Sequence, residues 1–227
     1  MWIDDNILKR CQENQALDIW VPDDIFVVLG SSNKAETECH LDACQKNKIH
    51  ILKRYGGGGA VVLHPGCVIL SLGLWVGHFY QNDYYFKWIN DSLIQSLKAK
   101  WPEFAELDQN GISDITMGAK KIAGTSLFRS RNYLLYQASI MVDPKPDLME
   151  SYLAHPSKEP EYREGKNHTE FVSGLKSRKP ELTSGDLADY LKAEYLNFLI
   201  PEPQTALIES QPGQWEHILK RTRTKVL

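Results

Sequence analysis

The chain has 227 residues, of which 26 are Lys or Arg and 29 are Asp or Glu, giving a net charge of −3. So near-balanced a chain offers no basic field to a polyanion, which argues against nucleic acid as the main partner. No apolar run approaches the roughly 18 uninterrupted residues of a membrane span. The start, MWIDDNILKRCQENQ, has neither the charged-then-apolar pattern of a secretory leader nor the Arg-rich character of a transit segment. Cys11, Cys39, Cys44 and Cys67 show no framework spacing, so a reducing, cytoplasmic setting is expected.

Asp5 to Gln15 reads as a short amphipathic helix with Ile7, Leu8 and Cys11 on one face. DIFVVLG is a predicted strand ending in the polar turn Gly30-Ser31-Ser32-Asn33. Ala35 to Asn47 is helical in composition, and IHILKRY is the next strand. AVVLH and VILSLGLWV are strands around a Pro65-Gly66 turn. The spacing of Trp88, Leu93, Ile94 and Leu97 predicts a helix over Tyr84 to Lys100, stopped by Trp101-Pro102. SDITMGAKKIAGTSLF and NYLLYQASIMVD give three or four short strands, and Asp147 to Ala154 a short helix. Pro156 to Lys179, charged and poor in apolar residues, reads as an irregular loop. Thr183 and Asp186 form a capping-box pattern that opens the helix LADYLKAEYLNFL. Gln214 to Leu227 is a basic helix or tail. This order predicts an α+β domain over residues 1–200, with a mixed, largely antiparallel sheet flanked by helices, and a C-terminal helix or tail over 201–227.

Two segments carry chemistry. KRYGGGGAVVLHPG, from Lys53 to Gly66, places four glycines between two cations and an apolar strand. Glycine admits positive φ and lets a ligand lie against bare main chain, where successive N–H groups can cradle phosphate or carboxylate oxygens. The run is not a P-loop, for no Gly-Lys-Ser/Thr closes it, and not a dinucleotide fingerprint, for a strand follows it. The second segment, SDITMGAKKIAGTSLFR, presents Lys120 and Lys121 beside a turn, then the small residues Gly124, Thr125 and Ser126. Alternation aims Lys121 inward and Lys120 to solvent. A lysine over a phosphate-holding loop would neutralise charge on an acyl phosphate. Cys39, His40 and Cys44 do not make a metal set, because Cys39 points off the helical face the other two share.

With these motifs the chain resembles the lipoate–protein ligase A family, within the biotin/lipoate ligase and octanoyltransferase superfamily. The first family motif stands as KRYGGGGAVVLHPG, the second as SDITMGAKKIAGTS, and a third as YQASIMVD; the likeness runs from about Ile7 to about Phe198. The resemblance implies a biotin/lipoate protein ligase-like catalytic domain. It also implies a ligase or lipoyltransferase that attaches a lipoyl or octanoyl group, through an acyl-adenylate, to a lysine of a lipoyl-domain or glycine-cleavage H-like protein. By the same resemblance Gly57, Gly58, Gly59, Ala60 and Val61 would lie against the adenylate, with Arg54 beside its phosphate or nucleotide. Lys121 would be the catalytic lysine at the mixed anhydride. Ser113 and Asp114 would sit near the adenylate, Asp114 holding Mg²⁺, with Gly124 and Thr125 completing the ligand site. ATP or lipoyl-AMP, Mg²⁺ and lipoate are the implied ligands.

The related octanoyltransferase and amidotransferase branches use a cysteine thioester. FAELDQNGISD and ESYLAHPSKEP, where those branches place it, contain no cysteine. Cys67 reads as a small apolar residue opening a buried strand. The chain departs from the ligase pattern at Gln137-Ala138, where the family has His-Gly, and at His64, one position late and followed by Pro65. It also ends soon after the helix near Leu199, where long ligases continue into an accessory domain. Transfer from ready-made lipoyl-AMP, activation with a separate accessory subunit, or poor activation alone is the corresponding expectation. A cysteine-independent-looking octanoyltransferase or amidotransferase relative and a non-catalytic lipoyl-ligand binding protein are the alternatives.

Overall fold

The computed structural model describes residues 2–10, 15–76, 81–156 and 158–198. In chain order the elements are α1 (Asp5–Arg10), β1 (Ala16–Trp20), β2 (Phe26–Leu29), α2 (Ala35–Glu38), α3 (Leu41–Lys46), β3 (His50–Lys53), β4 (Val61–Leu63), β5 (Cys67–Trp75) and α4 (Asn82–Lys100). There follow β6 (Leu107–Asn110), β7 (Asp114–Met117), β8 (Lys120–Ser130), β9 (Tyr133–Met141), α5 (Pro146–Tyr152), α6 (His168–Phe171) and α7 (Ser184–Phe198). The expected mixed, largely antiparallel sheet is present and is divided in two. A six-stranded antiparallel sheet has the order β1-β5-β9-β8-β7-β6, and a three-stranded sheet has β2 between a parallel β3 and an antiparallel β4.

Strand β5 shows how the sheet is held. It is buried at almost every position, the pattern of a strand covered on both faces. Val68, Leu70, Leu72 and Leu74 enter a core closed by Ile89 and Leu93 of α4 and Leu187 and Leu191 of α7; Cys67 and Ile69 enter a second core with the small sheet. The register extends this division across the sheet: Ser71 pairs with Gln137 and Gln137 with Ser126, while Ile69 pairs with Ser139 and Ser139 with Gly124. The face turned away from α4 and α7 is therefore small and polar in its middle, between a largely aromatic end at Trp75, Tyr133, Leu135 and Phe128 and an apolar end at the Cys67–Met141 pair.

Several expectations are adjusted. The helix expected over Ala35 to Asn47 breaks in two at Cys39-His40, because Cys39 bridges to Leu153 and His40 N–H donates to the Tyr152 carbonyl at 3.0 Å. Trp88 is not part of the buried stripe of α4; it is 40% exposed, and Tyr85, Ile89, Leu93 and Leu97 carry the contact. The stretch Pro156 to Lys179 is not wholly irregular. It holds α6, whose Asn167 and Glu170 form a reciprocal cap, and two single helical turns. Strands β1 and β6 were not predicted. Thr183 and Asp186 do cap α7, with Thr183 N–H on Asp186 Oδ2 at 3.0 Å and Asp186 N–H on Thr183 Oγ1 at 3.1 Å. Cys11 and the segment Gln214 to Leu227 lie outside the described residues.

Leu93, fully buried where α4 meets the large sheet, is the position at which this packing is tested. Leu93→Ala is expected to lower the unfolding free energy by about 2–5 kcal/mol in urea melts, since it leaves a cavity the two layers cannot close.

Candidate functional site

One cavity of about 400 Å³ lies between the polar face of the large sheet and the small sheet, bordered by the chain between Leu153 and Val172. Of the residues singled out in the sequence, Arg54, Gly58, Gly59, Ala60, Val61, Ser113, Asp114, Lys121, Gly124 and Thr125 line it, and Gly57 does not. The cavity has two chemical halves. Val62, Leu63, Cys67, Ile69, Met141 and Met149 give an apolar wall; Lys121, Asp114, Arg54 and Arg163 supply charge.

The four glycines have different reasons to be glycine. A side chain at Gly56 would meet Ser126 Oγ at 2.7 Å, so this residue is bare because β8 passes against it. Gly58 has φ +93°, the left-handed region, and its carbonyl fills the space a side chain on Gly30 would need. Gly57 and Gly59 face open space. Nothing in the protein demands their bareness. Arg54 fixes the loop from beneath: Nη2 donates to the carbonyls of Gly57 and Gly59, both at 2.8 Å, and Nη1 to that of Val28 at 3.4 Å. Turning those carbonyls toward the guanidinium settles which way the loop's peptide units face.

Lys121 owes its position to a β-bulge. Ala123 pairs with Ile115, but Lys121 pairs with Thr116, so one extra residue sits in β8. Ile122 and Ala123 consequently both enter the core, and Lys121 emerges on the same face as Gly124, three residues on, which strict alternation would forbid. Its ammonium lies across Gly124, where a side chain would approach Nζ to 3.2 Å. Asp114 Oδ1 holds it at 2.7 Å, and Asp114 Oδ2 accepts from the Tyr162 hydroxyl at 2.7 Å. Thr125 Oγ1 donates to the Ser113 carbonyl at 2.5 Å, tying β8 to the start of β7. Lys120 does not simply point to solvent; it is half-buried and donates to the Glu170 carbonyl of α6.

Beneath the loop lies a polar layer that the motifs did not disclose. Asp4, only 1% exposed, accepts from the Tyr55 N–H and from Gln137 Nε2, each at 2.7 Å, and Gln137 also donates to Ser71 Oγ at 3.2 Å. Gln137, where the resemblance leads one to expect a histidine, thus joins the sheet to the N-terminal segment. Burial pushes the Asp4 carboxyl up to about 6, against the Tyr55 and Gln137 hydrogen bonds and the Arg54 charge. Burial likewise draws Arg54 down to about 10, and raises the Cys67 thiol to about 11, which leaves almost no thiolate at neutral pH. Asp4, Tyr162 and Arg163 went unread because the first lies far from the motifs and the others in the charged stretch. The Asn-x-x-Glu cap at Asn167 was the available sign of order there.

The lipoyl protein ligase A/B catalytic domain matches residues 1–196. The chain belongs to this family. Lipoate-protein ligase A subunit 1 of Thermoplasma acidophilum is 28% identical over 144 residues, 60% of this chain and 54% of that protein. An inactive lipoate–protein ligase 2 of Plasmodium falciparum is 22% identical over 193 residues, 66% of this chain and 47% of that protein. The chain thus spans about half the length of these curated relatives. Among solved structures, the bi-partite lipoate protein ligase of T. acidophilum superposes with a TM-score of 0.68 at 19% identity, over 88% of this chain and 81% of that one, a likeness of fold. A lipoate-protein ligase A bound with ATP gives 0.60 at 25% identity, over 82% and 72%. Among the described residues, no helix is long and apolar enough to cross a membrane.

Two predictions follow from the loop and its support. Gly56→Ala is expected to cost about 1–3 kcal/mol in urea melts, since Ser126 or the loop must shift, whereas Gly57→Ala, with open space around it, leaves stability nearly unchanged. Asp4 gives a pH dependence. Its folded value, about 6, exceeds the unfolded 3.8, so the folded chain binds the proton more tightly and stability falls as pH rises through this window. The loss approaches ~3 kcal/mol. Urea melts from pH 4 to 6.5 are expected to show that fall, and Asp4→Asn to flatten it.

Proposed function

We propose that this chain is a lipoate–protein ligase or lipoyltransferase that carries a lipoyl or octanoyl group, as its acyl-adenylate, to a lysine of a lipoyl-domain or glycine-cleavage H-like protein. The observation that carries the reading is one cavity with an apolar wall beside Lys121 and the two glycines, Gly59 and Gly58, that border it. A fatty acyl tail suits the apolar half; the mixed anhydride suits the charged half. In the transfer step the acceptor amine forms the amide C–N bond to the acyl carbon, the anhydride C–O bond breaks, the electron pair leaves on AMP, and the amine proton is released. Lys121, exchanging Asp114 for the ligand, stabilises the departing phosphate oxygens. No protein nucleophile enters, in keeping with the buried, un-ionised Cys67.

ATP or lipoyl-AMP and lipoate are the ligands in this reading, and relatives' structures with bound ATP and bound lipoic acid support it. Among the described residues no three His, Cys, Asp or Glu gather as a metal site. Asp114 fits Mg²⁺ in the manner of one carboxylate completed by ligand phosphates and water, the ion neutralising phosphate charge. The T. acidophilum structure, described as a bi-partite ligase with its E2 lipoyl domain, makes a separate accessory subunit and a lipoyl domain the partners to supply. A catalytic domain over residues 1–200 with a distinct segment over 201–227, working in the cytoplasm, completes the proposal.

The relative named inactive keeps a non-catalytic binder as the second reading. Mass spectrometry of an apo lipoyl domain incubated with lipoyl-AMP and the chain separates the two: the ligase adds one lipoyl group, the binder none. Lys121→Ala is expected to slow that transfer about 10²-fold or more, and Cys67→Ser to leave it within a few-fold. Loss of transfer in Cys67→Ser with retention in Lys121→Ala would establish a thioester route instead. ATP-dependent activation of free lipoate is measured separately, with and without an accessory subunit.

A further inference from the structure

Arg163 is a buried cation with an unused donor. Its side chain is 7% exposed, and it lines the cavity. Nε donates to the Lys166 carbonyl at 2.9 Å and lies 3.4 Å from Glu159 Oε2, and the guanidinium carbon stands 4.8 Å from the Phe171 ring centre. Nη2, also buried, has no hydrogen-bond partner. Buried donors are nearly always satisfied, so an orphan on a charged group at a cavity wall points to a partner that arrives with the ligand.

Of the other cations lining the cavity, Lys158 is exposed, while Arg54 and Lys121 hold partners, although Arg54 Nε, like Arg163 Nη2, is buried without one. Arg54 Nη2 is shared between two loop carbonyls, and Lys121 is paired with Asp114. Arg163 adjoins that pair, for its neighbour Tyr162 is the residue that donates to Asp114. Glu159, its own counter-ion, also lines the cavity and contacts His155 at 3.2 Å, so it has another partner to turn to. A guanidinium presents donors in a planar fork matched to carboxylate and phosphate oxygens.

We propose that Arg163 is a ligand-binding residue of this cavity, which takes an oxyanion of the bound molecule on its free Nη2 edge. Two sources share that chemistry, the phosphate of the nucleotide and the carboxylate of the acyl acid. The inference rests on the reading of the cavity as an acyl and nucleotide site, and it adds to the motif residues a cation from the segment between α5 and α6.

The test compares each acid with its neutral counterpart. Dissociation constants of lipoate and lipoamide, and of AMP and adenosine, are measured by calorimetry for the wild type, Arg163→Lys and Arg163→Met. Thermal melts check that each variant is folded, which the Asn167–Glu170 cap and the Glu150 contact to the His168 N–H at 2.7 Å favour. Arg163→Met is expected to weaken the acid it holds by about tenfold or more and its neutral counterpart by less than about twofold, with Arg163→Lys recovering part of the loss. The pair that splits, lipoate from lipoamide or AMP from adenosine, identifies the oxyanion. Equal weakening of acid and neutral molecule, or no weakening of either acid, overturns the proposal while leaving the reading of the cavity intact. A wild type that binds none of the four overturns both.

Discussion

The ion pair between Lys121 and Asp114 is the interaction on which the rest of this site is arranged. An ammonium 2.7 Å from a carboxylate, both largely shielded from water, holds its place only if the chain around it is shaped for it. Three features do that. The bulge in β8 turns Lys121 to the cavity face, the bare Cα of Gly124 gives its side chain room, and Tyr162 secures the second carboxylate oxygen. A half-buried pair is not by itself a strong source of stability, because desolvation of both ions offsets much of their attraction. Its value lies in position: it holds a cation at the cavity wall, from which, in the proposed function, a ligand phosphate draws it.

The glycine loop answers the same need from the other side. Arg54, which sequence likeness assigns to the ligand, spends its Nη2 on the loop's own carbonyls. A guanidinium that holds carbonyls on one side of a short loop orients the peptide N–H groups with them, so Arg54 acts on the loop's geometry whatever else it touches. Asp4 and Gln137 support this arrangement from below. Through them the N-terminal segment, 133 positions away along the chain from Gln137, becomes part of the site. Gln137, at the place where the sequence resemblance implies a histidine, is therefore a polar residue with a defined structural task.

What was legible in the sequence follows from what kind of physics placed each residue. Local signals were sound where one interaction dominates: Thr183 and Asp186 cap α7, and the apolar run of β5 is a doubly covered strand. The glycine and lysine motifs found one cavity because their spacing is tied to a hairpin and a loop that meet on a single sheet face. β6 was missed because LDQN has one apolar residue and becomes a strand only through its hairpin with β7. Trp88 misled because an aromatic residue at helical spacing can stand beside a buried stripe as well as in it. Asp4, Tyr162 and Arg163 reach the site through tertiary packing alone, and no periodicity records that.

In the proposed function the phosphate of an acyl-adenylate replaces Asp114 as the partner of Lys121. A crystal structure of the chain with a non-hydrolysable lipoyl-adenylate analogue tests this directly. The acyl tail is expected along Ile69 and Met141, the phosphate surrogate against the loop at Gly58 and Gly59, and Lys121 Nζ within hydrogen-bond distance of it, about 3 Å. An analogue bound elsewhere, or bound in the cavity with Lys121 still on Asp114 and remote from the phosphate surrogate, would contradict it.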